Sequence, residues 1–282
     1  MTGEGFYEPV RFSGFPEIKE SIVSGHIPAT FMLAPLAMKL REQGVPIKIV
    51  YLGHRDGTAM MVHNNSDIRS IRDLKNKTIA VPNRYSNQFL IIFKALRDNG
   101  LTDKDVNFVE MPPPDMPAAL YANSVDAITS GEPFMAKTQM EGYGRVLYQA
   151  KDIWPEFISC VLVVREDLIK ERPEWVQQLV DGIARSGKWL EGGMERRMKA
   201  ADDISQQYYN QKPELLRYVL STPPDRVNYA NLMLAREEFE KIATLGREAG
   251  ILNGSASFED YTDASFSDKT HGARSYDWEG PK

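Results

Sequence analysis

The chain has 282 residues, of which 42% are hydrophobic and 26% are charged, as is ordinary for a globular protein. This length lies near the point at which one hydrophobic core divides into two domains. The formal net charge of −5 argues against nucleic acid or an anionic membrane surface as the main partner. No apolar run approaches the ~18 residues that a transmembrane helix requires.

The sequence contains no pattern typical of a metal centre or a redox pair. Its one cysteine, Cys160, lies in the apolar segment SCVLVV and is predicted to be a small buried residue of a strand. The histidines are too dispersed for a zinc site, and neither HExxH nor CxxC occurs. Phosphate-binding GxxxxGKS and dinucleotide-binding GxGxxG motifs are also missing. We therefore expect no metal and no cofactor.

An internal repeat is the most informative feature, because Phe15–Met38 aligns with Pro113–Ala136 without a gap. The aligned pairs include Pro16 with Pro114, Ile22 with Leu120, Ile27 with Val125, and Pro35 with Pro133. The two copies are separated by much more than the roughly 20–50 residues of a solenoid period. The repeat therefore indicates two similar lobes with a cleft between them.

Each copy of the repeat is predicted to be a β-α-β unit. A short strand, Val10–Phe12 or Val106–Phe108, precedes a proline and an acidic residue, which together favour the first turn of a helix. A second strand, Ala29–Leu33 or Asp126–Thr129, follows and ends at a turn marked by proline. We expect a mostly parallel sheet flanked by helices in each lobe.

Apolar and amphipathic patterns predict further elements outside the repeat. They are strands Ile47–Leu52, Thr58–Val62, Thr78–Val81 and Cys160–Val164, a turn at Gly53–Gly57 and a helix at Asn87–Asn99. Later helices are predicted from Pro173 and at Arg196–Tyr209, Pro213–Leu220 and Tyr229–Ala249. We expect these later helices to cover the first lobe, and the polar tail Asp268–Lys282 to be loosely ordered.

The predicted first lobe is discontinuous, at residues 1–76 and 161–266, with the second lobe at 77–160 and the tail at 267–282. A β-α pair, Thr78–Asn99, precedes the repeat in the second lobe, and the first lobe has no counterpart before Gly5. We therefore expect the chain to be shortened at its N-terminus by one β-α step, about 30–40 residues. Met1–Gly5 has neither the basic region nor the apolar core of a secretory signal.

Three motifs carry a resemblance to a known family. Asp73-Leu74-Lys75 precedes a new strand, Val81-Pro82 opens a loop, and Gly131-Glu132-Pro133-Phe134 closes a β-α-β unit. With the discontinuous first lobe, this layout resembles the type II solute-binding proteins of ABC importers, in the nitrate/sulfonate/taurine branch. The resemblance extends over about residues 5–266. It departs from the family at the N-terminus, where the family's first strand and helix are missing.

The resemblance implies a two-lobed α/β fold with type II periplasmic-binding-protein architecture and a ligand cleft between the lobes. It implies a binding protein without catalytic residues, which captures a small polar solute when the lobes close about a hinge. The implied partners are that solute and the ABC permease subunits of the inner membrane, and the implied state is a monomer. The full-length form would then be periplasmic, or anchored to the membrane outside the cytoplasm.

The loop Arg84-Tyr85-Ser86-Asn87 is the first candidate for ligand contact. It follows a strand and opens a helix, where free N–H groups attract anions, and open α/β sheets bind ligands beyond the carboxyl ends of their strands. Arg84 adds a positive charge and Tyr85 adds a ring with a polar tip. The alternative is a helix cap beside an exposed arginine.

His54, Arg55 and Thr58 form the second candidate group, because a histidine and an arginine at the end of a strand can bind an oxyanion. Asp56-Gly57 is a turn signal whatever the function, so part of this motif has a purely geometric reading. His54 could instead form a local hydrogen bond, and Arg55 could pair with Asp56.

Pro35 and Glu132 are expected to face the cleft from opposite lobes, since Ala34-Pro35 aligns with Glu132-Pro133. A carboxylate in the site disfavours a bare anion and suits a ligand with an amine, amide or ring N–H. Glu132 could alternatively pair with Arg84 or lie in an exposed turn. Ser13, at the end of the first predicted strand, is a weaker candidate for ligand contact.

An enzyme on the same scaffold is the alternative function, because fold does not fix function. Thiamine-pyrimidine synthases resemble a protein with a cysteine-rich motif, and the isolated Cys160 argues against that type. A dehydratase of the menaquinone pathway is harder to exclude, since Glu132, Ser86 and His54 in one cleft could perform acid–base chemistry. A sensor that binds a ligand and signals to a partner is a third possibility.

Overall fold

Two β-sheets flanked by helices organise the chain, so the predicted α/β class is confirmed. The computed structural model describes residues 7–205 and 211–272. The strands are β1 (Ala29–Met32), β2 (Ile47–Asp56), β3 (Thr58–His63), β4 (Thr78–Val81), β5 (Asn107–Glu110), β6 (Ala127–Gly131), β7 (Gly144–Gln149), β8 (Ile158–Arg165) and β9 (Val227–Asn228).

Thirteen α-helices and three short 3₁₀ helices are found in the described part of the chain. The α-helices of the first half are α1 (Phe15–Val23), α2 (Ala34–Glu42), α3 (Asn87–Asp98), α4 (Met116–Tyr121), α5 (Phe134–Met140) and α6 (Ala150–Ile153). Those of the second half are α7 (Glu166–Glu171), α8 (Pro173–Glu191), α9 (Met194–Ile204), α10 (Pro213–Ser221), α11 (Arg236–Glu248), α12 (Phe258–Tyr261) and α13 (Ser265–Gly272). The 3₁₀ helices are Ile71–Leu74, Asp103–Asp105 and Pro113–Asp115.

The first sheet has four strands in the order β1-β8-β2-β9, and all of its neighbouring pairs are antiparallel. β1 and β2 run in the same direction, as a β-α-β unit requires, but they are not neighbours. β8 lies between them and pairs with both. The expected parallel pairing is therefore wrong for this sheet, because a strand returning from elsewhere in the chain occupies the position between the two parallel strands.

The second sheet has five strands in the order β5-β4-β6-β3-β7. β4 pairs in parallel with both β5 and β6, as predicted for this half of the chain. β3 then continues the sheet antiparallel to β6 and β7. The parallel part of the sheet places the starts of α3, of helix Pro113–Asp115 and of α5 along one edge, where the strands β4, β5 and β6 end.

The chain passes from the first sheet to the second between β2 and β3, at Asp56 and Gly57. Both residues have left-handed backbone conformations, with φ of 58° and 69°. The predicted turn at Gly53–Gly57 is therefore a crossing between sheets, since β2 and β3 pair with different strands. Gly53 lies within β2, where a Cβ atom would approach the Sγ of Cys160 to 2.4 Å. β3 belongs to the second sheet, so the chain first enters that sheet at Thr58.

The repeat is found in the structure as two matching helices and their following strands. α1 and β1 correspond to Pro113–Tyr121 and β6, close to the predicted bounds. The predicted strand Val10–Phe12 is wrong, since residues 7–12 have no regular secondary structure. Val10 is 59% exposed, so its side chain is not packed against a sheet as the pattern suggested.

The C-terminal helices are shared between the two sheets. Leu215 and Val219 of α10 pack with Ala136 of α5 and Val227 of β9. This contact with the helices of the second sheet corrects the expectation that all late helices cover the first lobe. The apolar face of α10 matches the surface of α5, which sequence periodicity alone does not reveal.

Two of the predicted C-terminal segments differ from the structure. The helix predicted at Tyr229–Ala249 begins only at Arg236. Residues 229–235 have no regular secondary structure, and the carbonyl of Leu232 accepts a hydrogen bond from the N–H of Leu52 at 3.2 Å. The tail is helical over Ser265–Gly272, with Phe266 buried, so the expected loose order is wrong there. Residues 206–209 of a predicted helix and 273–282 of the tail lie outside the described residues.

The apolar core follows the sheets. One cluster surrounds the first sheet and extends to Phe89 and Leu90 of α3, and two others cover the faces of the second sheet. Among the described helices, none combines the length and apolar character that crossing a bilayer requires.

Candidate ligand cavity between the two sheets

A cavity of about 440 Å³ lies where elements of both sheets meet the C-terminal helices. The N-terminal segment and α1 contribute Arg11, Phe12, Ser13, Gly14, Phe15 and Ile18, and β2 contributes His54. The edge of the second sheet contributes Pro113, Pro114, Glu132, Pro133 and Phe134. α9, α10 and the segment around β9 complete the wall, chiefly with Ile204, Leu216, Val219, Leu220, Val227 and Tyr229.

Both copies of the repeat bring the start of their helix to this cavity. Phe15 aligns with Pro113 in the sequence, and both residues line the wall. Proline at the first turn is tolerated because its missing N–H has no helical partner. The two helix starts also lie close together, since a Cβ atom on Gly14 would be 3.8 Å from Cβ of Pro112. The cleft predicted from the repeat therefore corresponds to a cavity in the structure.

Ser13 lines the cavity at the start of α1. Its N–H and hydroxyl donate to the carboxylate of Glu17 at 3.1 and 2.9 Å, which fixes the first turn of the helix. Pro35, by contrast, is buried in the first turn of α2 and does not belong to the described cavity wall, although its counterpart Pro133 does. The two copies of the repeat thus contribute different parts to the wall.

Glu132 lines the cavity, but its carboxylate is bound inside the protein. The guanidinium of Arg226 donates to Oε1 of Glu132 at 2.6 Å, and the N–H of Ala136 donates to Oε2 at 2.8 Å. Both side chains are buried, with 2% of Arg226 and 4% of Glu132 exposed. Burial raises the pKa of Glu132, while Arg226 and the Ala136 N–H favour the carboxylate. The partner of Glu132 is thus Arg226. Glu132 neither pairs with Arg84 nor lies in an exposed turn, which were the two alternatives considered from the sequence.

The guanidinium of Arg226 makes three further contacts besides its pair with Glu132. Its Nε donates to the carbonyl of Thr222 at 2.7 Å and its Nη2 to Oε1 of Gln139 at 3.1 Å. The guanidinium also lies over the ring of Tyr218, 5.1 Å from the ring centre. These contacts fasten the segment between α10 and β9 to α5 of the second sheet.

Arg55 is fully engaged inside the protein at the crossing between the sheets. Its guanidinium forms a bidentate pair with Glu238 at 2.5 and 2.9 Å. It also donates to the carbonyls of Asn231 at 2.7 Å and Glu156 at 2.8 Å. With 1% of the residue exposed, Arg55 does not reach the cavity. The sequence alternative, in which Arg55 pairs with Asp56, is not found, because Arg55 pairs with Glu238.

Arg55 connects three segments with unusual backbone conformations. Asp56, Glu156 and Asn231 have φ of 58°, 58° and 52°, in the left-handed region that non-glycine residues seldom adopt. Asp56 follows Arg55 directly, and Arg55 binds the carbonyls of the other two residues. The Asp56 N–H also donates to the carbonyl of Phe157 at 2.8 Å. Arg55 therefore holds together the two crossings between the sheets, at Asp56 and Glu156, and the segment that follows β9.

The loop from Arg84 to Asn87 caps α3, as the alternative interpretation expected. The N–H of Arg84 donates to Glu110 at 3.0 Å, and its exposed guanidinium lies 5.2 Å from the ring centre of Phe89. Ser86 accepts the Phe89 N–H at 3.0 Å, and Asn87 donates to the carbonyl of Ile158 at 2.6 Å. None of Arg84, Tyr85, Ser86 and Asn87 belongs to the cavity wall as described.

Thr58 is also outside the described cavity wall. Its hydroxyl accepts a hydrogen bond from Nε2 of Gln88 at 3.1 Å, and 1% of the residue is exposed. The interaction joins the start of β3 to the start of α3. Of the ten residues proposed from sequence, the structure thus brings together Ser13, His54 and Glu132.

His54 and Tyr229 form the polar corner of the cavity. Their ring centres are 6.2 Å apart, and both residues line the wall. Burial lowers the pKa of His54, although the backbone carbonyls of Arg55 and Asp56 oppose this shift. Burial likewise raises the pKa of Tyr229 to about 12. Both side chains are therefore uncharged at neutral pH and able to donate and accept hydrogen bonds.

Cys160 lies opposite His54 in the register between β2 and β8. Burial raises the pKa of its thiol to about 12, so the thiolate is disfavoured at neutral pH. Among the described residues, no group of three or more histidine, cysteine, aspartate or glutamate side chains is arranged to hold a metal ion.

Sequence reasoning missed most of the apolar wall. Phe15, Phe134 and Tyr229 were not proposed, and neither was Arg226 behind the wall. Phe15 could have been found, because the repeat places it opposite Pro113 at the start of the first helix. No sequence signal indicates Tyr229, which lies far along the chain from the other aromatic residues of the wall.

The NMT1-like family model matches residues 3–205 of the chain. Among characterised proteins, the riboflavin-binding protein RibY of Chloroflexus aurantiacus is 30% identical over 149 residues, covering 51% of this chain and 41% of RibY. The chain spans about a quarter to a half of the length of the characterised relatives it matches.

Solved structures share the fold. The periplasmic nitrate-binding protein NrtA from Synechocystis PCC 6803 superposes with a TM-score of 0.84 at 14% identity, covering 93% of this chain and 79% of NrtA. The ligand-binding component of an ABC-type import system from Staphylococcus aureus gives 0.83 at 24% identity, covering 94% and 88%. The predicted resemblance to nitrate- and sulfonate-type binding proteins, and their two-lobed architecture, are thus confirmed.

An enzyme also shares this fold. The desulfurization enzyme DszB superposes with a TM-score of 0.61 at 17% identity, covering 87% of this chain and 86% of DszB. The likeness concerns the fold alone, because fold does not determine activity.

Proposed function

The chain belongs to the NMT1-like family, and we propose that it acts as a solute-binding protein that captures a small molecule between its two sheets. The observation that carries the proposal is the cavity of about 440 Å³ lined from both copies of the repeat. Its volume lies in the ~300–1,000 Å³ range of small-molecule sites. Its wall combines many apolar groups with a few polar ones, as such sites require.

The proposed mechanism is closure of the two sheets around the solute. The cavity wall is divided between elements of the first sheet, the second sheet and the C-terminal helices, so their relative movement opens or closes it. We propose that the hinge lies at the two crossing segments. Asp56 follows Arg55 directly, and the carbonyl of Glu156 accepts a hydrogen bond from Arg55. Hinges absorb such movement through a few backbone torsions at the ends of elements.

The proposed setting is import through an ABC transporter. Relatives include a protein named for binding aliphatic sulfonates, and the similar structures include the ligand-binding component of an ABC-type import system and a periplasmic nitrate-binding protein. We place the protein in the periplasm, or attached to the outer side of the cytoplasmic membrane, with permease subunits as its partners and a monomer as its working state.

Calorimetry with a defined set of solutes tests the proposal. Nitrate, taurine, uracil and nicotinamide would each be titrated into the purified chain, and at least one compound is expected to bind with a Kd near the micromolar range, about −8 kcal/mol. Leu216→Trp places a larger side chain in the cavity wall and should weaken that binding at least tenfold. Met140→Trp, at an exposed position outside the wall, is the matched control. Unchanged binding by the Leu216 variant would show that the solute lies elsewhere.

An enzyme on this scaffold is the second candidate, since DszB shares the fold. The acid–base trio considered from sequence is not assembled, because Ser86 caps α3 and Glu132 is paired with Arg226. Incubating any bound solute with the chain and recording its NMR spectrum separates the two functions. A binding protein returns the compound unchanged, whereas an enzyme produces new resonances.

A further inference from the structure

We infer that the cavity takes a neutral, planar heteroaromatic solute, whose ring lies against the phenylalanines of the wall and whose polar edge meets His54 and Tyr229. This inference rests on the proposed solute-binding function and deepens it by naming the class of ligand. It narrows the small polar solute that the family resemblance implied to one chemical class. Three properties of the wall support it: its surface, its charge and its polar corner.

The surface of the wall is mainly apolar and aromatic. Phe12 and Phe15 line it from the N-terminal segment and α1, and Phe134 lines it from α5. Ile204, Leu216 and Leu220 line it from the C-terminal helices. Aromatic rings prefer offset-stacked or edge-to-face contacts with other rings. A nitrate ion has only four atoms and no apolar surface, so it would leave most of the cavity of about 440 Å³ unused.

The charge of the wall does not match a bare anion. Within residues 7–205 and 211–272, Arg11 is the only lysine or arginine that lines the cavity, and it is exposed. The carboxylate of Glu132 is neutralised by Arg226 through the 2.6 Å contact. An anion transferred from water into such a site would lose its hydration without a buried partner, which is costly. A cation would likewise find no unpaired carboxylate among the described lining residues.

The polar corner suits the edge of a heteroaromatic ring. His54 and Tyr229 lie side by side, with ring centres 6.2 Å apart. Nδ1 of His54 is 3.4 Å from the carbonyl of Arg55, and the residue lines the cavity wall. A neutral imidazole and a neutral phenol each both donate and accept, so together they match adjacent ring N–H and carbonyl groups. A site with such paired groups discriminates against solutes that lack them.

Titration calorimetry with two classes of probe tests the inference. Uracil, nicotinamide and adenine represent neutral heteroaromatic solutes, and nitrate, bicarbonate and taurine represent small charged ones. We expect saturable binding within the first class and at least tenfold weaker binding within the second. Tyr229→Phe and His54→Gln should each weaken the heteroaromatic binding about tenfold, as for loss of one buried hydrogen bond. Tyr121→Phe and His63→Gln make the same changes outside the wall and should leave it unchanged.

A third, conservative variant keeps the test informative if the other cavity variants do not fold. Phe134→Leu removes a ring from the wall but keeps an apolar side chain, and Phe31→Leu is its control at a 42% exposed position. Circular dichroism would establish that each variant is folded before titration. Of these two phenylalanine variants, only Phe134→Leu should lose affinity for the heteroaromatic probe.

The outcomes separate this inference from the proposed function. Binding of a small charged probe that Leu216→Trp abolishes, without heteroaromatic binding, would overturn the ligand class and leave the solute-binding function standing. Heteroaromatic binding that is weakened by none of Tyr229→Phe, His54→Gln and Phe134→Leu would show that the solute does not bind in this cavity. If neither class binds at millimolar concentration, the inference and the proposed function both fail.

Discussion

Two buried arginine–carboxylate pairs occupy comparable positions between the sheets but serve different segments. Arg55 pairs with Glu238 and holds the crossing segments, whereas Arg226 pairs with Glu132 behind the cavity wall. Arg55 binds two backbone carbonyls in addition to its carboxylate, and Arg226 binds one. The comparison teaches that the same ion-pair chemistry can fix a hinge at one place and shape a binding wall at another.

The two pairs also differ in what surrounds the carboxylate. Glu238 is 19% exposed, so water solvates part of it. Glu132 is 4% exposed and also accepts the N–H of Ala136 at the start of α5. Glu132 therefore has a structural role within the cavity wall, and breaking each pair should have a distinct signature.

Arg55→Met should cause the largest loss of stability. The substitution keeps a long apolar stem but leaves Glu238 and the carbonyls of Glu156 and Asn231 without their donor. Breaking a buried pair by removing one partner costs about 3–5 kcal/mol. Urea unfolding of the variant and the parent chain measures this loss. A change below about 1 kcal/mol, the scale of an exposed pair, would contradict the hinge role.

Glu132→Gln should cost less stability but alter the cavity. Glutamine preserves the shape and one acceptor, so the loss should be about 2–3 kcal/mol, near the lower end for a buried charge left unpaired. In a double-mutant cycle with Arg226→Met, the two changes should be non-additive by about 0.5–3 kcal/mol, because the side chains are in contact. Additive effects would mean that the pair contributes no mutual stabilisation.

The pH dependence of stability should reveal His54 at the polar corner. Burial lowers its pKa in the folded state below the ordinary value of 6.5, so the unfolded state binds more protons as the pH falls through that value. Stability is then fully present above pH 6.5 and is lost as the pH decreases towards the folded-state pKa. One such group contributes a slope of at most about 1.4 kcal/mol per pH unit. Thermal unfolding at pH 5 to 8 should show a shallower decline for His54→Gln, and an unchanged profile would refute this.

The exposed pair of Arg217 with Asp202 should have the smallest effect and serves as a baseline for both buried pairs. Its contacts of 2.7 and 2.8 Å resemble those of the buried pairs, but 51% and 37% of the two side chains are exposed. Solvent screening weakens such pairs. Arg217→Met should therefore leave the urea midpoint nearly unchanged. A loss equal to that of Arg55→Met would show that burial does not set the difference.

Local patterns in the sequence predicted much of the fold. The helix of each repeat has a proline followed by an acidic residue in its first turn, Pro16-Glu17 and Pro114-Asp115. Ser86 caps α3 where the sequence placed a cap. Strand β4 has its predicted bounds, and Cys160 lies in a strand as expected. These features depend on neighbouring residues, so their causes are visible in a short stretch of sequence.

Features that depend on distant contacts were predicted less well. The antiparallel insertion of β8 between β1 and β2 joins segments that are far apart in the chain. Val10–Phe12 has the composition of a strand but is not paired with one in the structure. The predicted shortening of the N-terminus and the boundaries of the lobes stay predictions.

The sequence by itself determined the α/β class, the repeat and the helix starts that meet at the cavity. Only the tertiary structure decided which charged residues remain available to a ligand. Arg55 is 183 positions from Glu238, and Glu132 is 94 positions from Arg226. Helical and strand periodicity indicates which face of an element is buried. It does not identify the partner of a buried charge, because ion pairing depends on distance in space and on burial.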